Sequence, residues 1–405
     1  MRQFPQNFFW GAATSAYQVE GDNSHCDWWE WEISAGKERS LNACRHYELY
    51  EQDFDLAKSL DHNCHRLSIE WSRVEQEQGV FLPQVIEHYK DVISSLKERG
   101  LEPIVTLHHF TNPIWLAKIG GWLNPKAQDY FLSYVERIVS ALAENVRYWI
   151  TINEPTVYLY HAYILGAWPP QEKSFSKAKI VEKNMLNAHI GAYRLIHDIY
   201  KRKQLQAPYV SIAKNMQAFV ACRPNIIDKA GVYLRDKSYN FSFIEKLIRA
   251  KALDFIGVNY YTRGVVEVEK WRFSNLLLDN CSNNHHPVEK NYLGWDIYPQ
   301  GLYDLLIKLK KYDLNIFITE NGICTEDDSQ RSRFILEHLK SVYSAIEKGV
   351  KVSGYIYWSL LDNFEWDKGY SPRFGLVEVD YNTYKRSIRA SAKEFSLICK
   401  KGILE

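Results

Sequence analysis

An α/β fold, a (β/α)8 or TIM barrel, is predicted from three observations. Apolar, β-prone runs recur eight times, amphipathic helical stretches fall between them, and two of the runs stop abruptly at a glutamate. In chain order the predicted strands are Phe8-Phe9-Trp10-Gly11-Ala12-Ala13, Cys64-His65-Arg66-Leu67-Ser68-Ile69, Pro103-Ile104-Val105-Thr106-Leu107, Val146-Arg147-Tyr148-Trp149-Ile150-Thr151-Ile152, Tyr209-Val210-Ser211-Ile212-Ala213, Phe255-Ile256-Gly257-Val258-Asn259, Leu314-Asn315-Ile316-Phe317-Ile318-Thr319 and Gly354-Tyr355-Ile356-Tyr357-Trp358. The fourth and seventh are especially rich in β-branched and aromatic residues, which suits strands buried on both faces. Helical periodicity is found over 82–99, 125–144, 177–203, 301–311 and 332–348. A barrel of this kind takes about 250 residues, so roughly 150 are left for extended βα loops. The candidate excursions are 20–43, 158–175, 216–247 and 263–293, which carry Gly, Pro, Asn and polar runs. No linker or composition break divides the chain, so residues 1–405 are expected to form a single domain.

Composition narrows the functional classes. Lys+Arg 50 against Asp+Glu 49 leaves a net charge of +1, which gives no electrostatic footprint for nucleic acid or an anionic membrane. The N-terminal residues lack an apolar signal region and no apolar run approaches a spanning length, so a soluble, cytoplasmic protein is expected. The seven cysteines are odd in number, widely spread and free of CxxC spacing, which reads as reduced thiols. His108 and His109 are adjacent, but no ligand cluster surrounds them, and no metal or other cofactor is expected. Aromatic residues reach 14% of the chain, with Trp 13 and Tyr 27. Most must form the core; those at strand ends can stack on the C–H faces of sugar rings.

Chemistry is expected where Thr151-Ile152-Asn153-Glu154-Pro155 and Ile318-Thr319-Glu320-Asn321-Gly322 end their strands. A lone strand-end glutamate is usually a solvated loop residue. Two in matching contexts, at the end of a parallel barrel where catalysis takes place, can share acid/base and nucleophilic work on one bond.

The chain resembles the family 1 glycoside hydrolases, the β-glucosidase and β-galactosidase group, over essentially its whole length. The resemblance is carried by five blocks in order: Phe9-Trp10-Gly11-Ala12-Ala13-Thr14-Ser15-Ala16-Tyr17-Gln18-Val19-Glu20-Gly21, Arg66-Leu67-Ser68-Ile69-Glu70-Trp71-Ser72-Arg73, Asn153-Glu154-Pro155, Thr319-Glu320-Asn321-Gly322, and Trp358-Ser359-Leu360-Leu361-Asp362-Asn363-Phe364-Glu365-Trp366. It implies retaining hydrolysis of β-glycosides, from small glycosides to short oligosaccharides, with Glu320 as nucleophile and Glu154 as acid/base, their carboxyl groups about 5–5.5 Å apart. Arg66 and Tyr261 are expected to keep Glu320 ionised. By position, Gln18, His109, Asn153, Glu365 and Trp366 would bond the sugar hydroxyls, Asn153 at the 2-OH, with Trp358 as an aromatic platform and Phe374 near the 6-position. Similar enzymes that act on 6-phosphoglycosides usually carry serine where this chain has Glu365, so unphosphorylated β-glucosides, with β-galactosides or β-fucosides, are expected. The alternatives are a 6-phospho-β-glycosidase and an inactive sugar-binding member; the presence of both glutamates argues against the second. No nucleic acid or membrane insertion is expected, and a homo-oligomer is compatible with the sequence. Three departures stand out: Arg45 where similar enzymes usually have Asp, Phe110 where they usually have Trp, and shortened loops after strands one, five and six. The shorter loops suggest a wide, apolar leaving-group side.

Overall fold

The computed structural model describes residues 2–268, 281 and 287–404. Eight parallel strands close into a barrel: β1 (Phe9–Ala13), β2 (Cys64–Ser68), β3 (Glu102–His108), β4 (Tyr148–Asn153), β5 (Tyr209–Ala221), β6 (Phe255–Val266), β7 (Asn315–Asn321) and β8 (Val352–Trp358). They run in sequence order round the ring, and β8 returns to β1 through the pairing of Trp358 with Ala13. All eight lie where the apolar runs place them. The expected helices appear as Pro83–Glu98, Ala127–Leu142, Phe175–Arg202, Pro299–Leu309 and Asp328–Glu347, joined by His46–Ser59 and Ala390–Lys401 among others.

The inside of the ring is filled by alternating small and large side chains, among them Ala13, Cys64, Ile104, Ala213, Phe255, Phe317 and Ile356. Outward-facing residues of the same strands meet the helices in a larger apolar layer. Close approach dictates one residue at the functional end: a Cβ on Gly322, just past β7, would lie 1.7 Å from the Trp358 carbonyl oxygen at the end of β8.

Two expectations are corrected here. The excursion expected over 216–247 is largely regular, because β5 and β6 continue past the barrel as a parallel ladder from Ala218–Arg263 to Ala221–Val266, followed by helices Ile226–Arg235 and Ser242–Arg249. Of the excursion expected over 263–293, residues 269–280 and 282–286 lie outside the described residues. The same ladder overturns the expectation of seven reduced thiols. The Cys222 amide donates to Val266 O at 2.8 Å and the Cys281 amide to Val265 O at 2.9 Å, so the two cysteines flank one dipeptide and form a disulfide. A sequence separation of 59 hides that neighbourhood. The other five cysteines are free and buried. With Glu267 the pair forms the one group with metal-ligand spacing among the described residues, but its two sulfurs are bonded to each other. No helix among the described residues is long and apolar enough to cross a membrane.

Candidate active site

The catalytic end of the barrel opens into a cavity of about 1170 Å3. Every site residue expected from the sequence except Arg66 lines it. Arg66 lies just beneath, 1% exposed, where its guanidinium ties three strands together.

Glu154 owes its position to a reversal at the end of β4. Asn153 pairs with Ala213 of β5, and the Glu154 amide donates to the Ala213 carbonyl at 2.8 Å. The chain then turns with Glu154 in the left-handed region, φ 43°, so that Pro155 can start a short helix whose first free amides reach the Glu154 carbonyl. A left-handed non-glycine residue costs about 1–2 kcal/mol, offset here by the hydrogen bonds that the turn makes. Its Oε1 accepts from Asn259 Nδ2 at 2.8 Å and from Asn215 Nδ2 at 3.3 Å.

Glu320 enters from β7, at a register shift that pairs it with Asn259 of β6. Arg66 Nη1 donates to its Oε1 at 2.5 Å and the Tyr261 hydroxyl to its Oε2 at 2.5 Å. The other arm of the guanidinium, Nη2, donates to Asn153 Oδ1 at 2.7 Å, and Nε donates to Thr106 Oγ1 at 3.2 Å. Asn259 completes the net. It donates to both Asn153 and Glu154 and accepts from Thr319 Oγ1 at 2.6 Å.

The two carboxyl groups therefore differ in their partners. Burial first, and then the charge of Glu320, raise the Glu154 carboxyl to about 8, against the opposing pull of the Asn259 and Asn215 amides and of Lys214. Burial also raises Glu320, but Arg66 and then Tyr261 pull it back. The expectation that Arg66 and Tyr261 keep Glu320 ionised is thus refined: both act in that direction, against a desolvation that the sequence does not reveal. In a buried pair with one proton to share, the charge settles on the carboxylate bonded to the guanidinium, Glu320, and the proton on Glu154.

A polar and aromatic wall completes the inner cavity. Gln18 accepts from Ser15 Oγ at 2.7 Å and its Nε2 donates to Asn363, to the Phe364 carbonyl and to Glu365 Oε2. Burial, followed by the charge of Glu320, lifts the Glu365 carboxyl to about 8. Asn153 Nδ2 donates to His109 Nε2 at 3.1 Å, which fixes the ring proton on Nδ1. That Nδ1 has no partner among the described residues, leaving a buried donor. The His109 ring is stacked between Trp358 and Trp366, and Phe374 meets Tyr261 edge-on. Phe110 packs against Trp168 and Trp366.

Sequence reasoning passes over several contributors. Asn215 and Asn259 stand where the fifth and sixth apolar runs stop, as Asn153 does for the fourth, a signal that would have found them although both strands continue past them, whereas Trp168 and Trp295 sit in loops where nothing local marks them. The two histidines are accounted for by hydrogen bonding, His108 Nε2 to Asn112 Oδ1 at 3.1 Å and His109 to Asn153.

The geometry has parallels along the whole chain. A model of glycosyl hydrolase family 1 matches residues 1–230 and 228–403. Beta-glucosidase A of Acetivibrio thermocellus is 31% identical, with 98% of each chain covered, and a 6-phospho-beta-galactosidase of Clostridium acetobutylicum is 30% identical, covering 98% of this chain and 97% of that one. The solved beta-glycosidase from Pyrococcus horikoshii superposes with a TM-score of 0.93 at 38% identity, covering 100% of this chain and 97% of that one. With the closed barrel, the five motif blocks and a family model matched almost from end to end, this chain belongs to glycosyl hydrolase family 1.

Proposed function

We propose that this enzyme is a retaining β-glycosidase that releases an unphosphorylated β-D-glucosyl, or related glycosyl, residue by double displacement. The observation that carries the reading is the unequal pair. Of two buried carboxyl groups joined through Asn153 and Asn259, Glu320 alone is gripped by a guanidinium. An ionised Glu320 attacks the anomeric carbon while the protonated Glu154 gives its proton to the leaving oxygen. Once Glu320 is esterified its charge is gone, the second largest cause of the raised Glu154 pKa disappears, and Glu154 becomes a base able to activate water. Asn153, held between Arg66 and His109, faces the cavity with the geometry to meet the sugar 2-OH. His109, the amide of Gln18 and the carboxyl of Glu365, which line the inner cavity, supply further sugar contacts, over the Trp358 platform.

Discrimination against a 6-phosphate rests on Glu365 in a way the structure sharpens. Burial and the charge of Glu320 raise that carboxyl to about 8, toward its neutral form. Two lysines that line the cavity are already paired and not set to receive a phosphate dianion, Lys368 with Asp367 at 2.8 Å and Lys179 with Glu182 at 2.8 Å. The expected result is a kcat/KM for 4-nitrophenyl β-glucoside at least ~100-fold above that for its 6-phospho analogue, with the gap narrowed in Glu365→Ser. Equal or greater turnover of the phosphorylated substrate would sink the assignment.

Beyond the sugar-sized inner end, the cavity is walled by apolar side chains including Ile164, Phe175, Phe219, Leu234, Phe243 and Leu293. This supports glycosides of apolar aglycones as good substrates. Across methyl, butyl, hexyl and octyl β-glucosides, kcat/KM is expected to rise about fourfold per added methylene, from ~0.8 kcal/mol per buried CH2. A flat series would mean that the apolar wall takes no part in binding.

A further inference from the structure

We propose that Lys214, within β5 beside Glu154, is a positioning residue that supplies the counter-charge Glu154 needs when it gives up its proton. The proposal rests on the reading of Glu154 as the acid/base. Its geometric basis is local. The residue before Lys214, Ala213, holds the Glu154 amide at 2.8 Å, and the residue after it, Asn215, holds the Glu154 carboxyl at 3.3 Å. Lys214 is therefore anchored between the main-chain and side-chain supports of the proposed acid. Its side chain is 0% exposed. Nζ donates to the Asn215 carbonyl and sits 4.4 Å from the centroid of the Tyr239 ring, whose hydroxyl donates to Asn215 Oδ1 at 2.7 Å.

Both of these contacts are neutral, and burying an ammonium among neutral partners is costly. A methionine would fill the same volume without that cost, so what the lysine adds is charge. Among the described residues the charge that acts on it is that of Glu154. Burial lowers the ammonium and Glu154 opposes it, leaving it at about 7. The influence is mutual, since Lys214 lowers the Glu154 carboxyl. The other ionisable groups around the pair are Glu320 from β7, Tyr261 from β6, Glu365 from the segment after β8, Tyr239 and Tyr160 from the loops, and Arg66 from β2. Arg66 is committed to Glu320 and Asn153. Lys214 is thus the cation placed to answer a negative Glu154.

The sign of the effect follows. A cation beside Glu154 favours its carboxylate, so removing the cation raises the pH at which the acid loses its proton. The ammonium loses its proton near 7, so its effect is read below that pH. In Lys214→Met, the acid limb of kcat for 2,4-dinitrophenyl β-glucoside, where Glu154 must act as base, should move up by about one pH unit, a tenfold change in the ionisation constant. Lys214→Arg, which is charged at every pH, should leave that limb at or below its wild-type position and draw the alkaline limb of kcat/KM for phenyl β-glucoside down. A lysine needed only for packing would lower rates equally at every pH and leave the limbs in place, and that outcome overturns the proposal. Lys214→Gln is read in the same way should the methionine variant fold poorly. Glu154→Ala with azide separates the two ideas. If β-glycosyl azide forms but the Lys214→Met acid limb coincides with wild type, the counter-charge is wrong; if no β-glycosyl azide forms, the reading of Glu154 itself fails.

Discussion

Glu320→Gln is expected to lower kcat on 4-nitrophenyl β-glucoside by on the order of 10^5-fold, with a melting temperature close to that of the parent. An amide of the same shape still fills the space at the end of β7: its oxygen can accept from Arg66, while its NH2 takes the place of Oε2 and can donate to the Tyr261 hydroxyl oxygen. What it lacks is an electron pair able to displace the leaving group and the negative charge that opposes the guanidinium. The loss should therefore appear in turnover rather than in folding. The smaller variant Glu320→Ala opens the same face of the sugar to an external anion. With azide and an activated aryl glycoside it should yield the α-glycosyl azide, because azide then attacks where the side chain would have attacked. Near-parental turnover by Glu320→Gln, or a β-glycosyl azide from Glu320→Ala, would remove Glu320 from the nucleophile's role.

Glu154→Ala should produce a different pattern. The leaving oxygen of phenyl β-glucoside needs a proton, and losing the donor should cost about 10^3- to 10^4-fold in kcat/KM. A 2,4-dinitrophenolate leaves without help, so its glycosylation step should be nearly spared. The glycosyl-enzyme then accumulates for want of a base, and both kcat and KM fall. Azide needs no deprotonation and should restore turnover with formation of β-glycosyl azide. The pH profile gives a second check. With the Glu154 carboxyl raised to about 8, the acid form prevails below that pH, and parental kcat/KM on poor leaving groups should decline as pH rises through it. A variant lacking the acid should lose that alkaline limb. If Glu154→Ala lost the same factor on phenyl and dinitrophenyl substrates, a proton-donor role would be untenable.

The barrel can be read from the chain because buried parallel strands are short, continuous apolar runs, and all eight of them meet that description. The ladder beyond the ring is not so marked. Lys214, Asn215 and Gln217 interrupt the apolar pattern of β5, and the strand continues because β6 offers it a partner from Ala218 onward. Pairing of that kind is a property of two segments together. The disulfide is hidden for the same reason, since Cys222 and Cys281 become neighbours only through Val265 and Val266. In the site, the residues themselves are visible in the motif blocks, but their electrostatics are not. Arg66 and Tyr261 indicate a depressed Glu320, whereas complete burial acts in the opposite sense. The contact of Asn215 with Glu154 depends on the register of Asn153 against Ala213. Lys214 shows no sequence signal at all, because an isolated lysine just past an apolar run is ordinarily in solvent.

Closure of the ring has a bearing on when this chain becomes an enzyme. As it is synthesised, the residues proposed to give and take the proton come first, with β4, while the proposed nucleophile arrives with β7 and the Trp358 and Glu365 wall with β8 and the segment after it. Arg66, waiting on β2 from early on, has no anion to hold until Glu320 reaches it. A nascent chain that lacks the last two strands can collapse and form helices, yet it assembles no more than half of the reacting pair. Hydrolytic competence is then acquired late and in one step, at the moment when β7 and β8 fill the gap between β6 and β1.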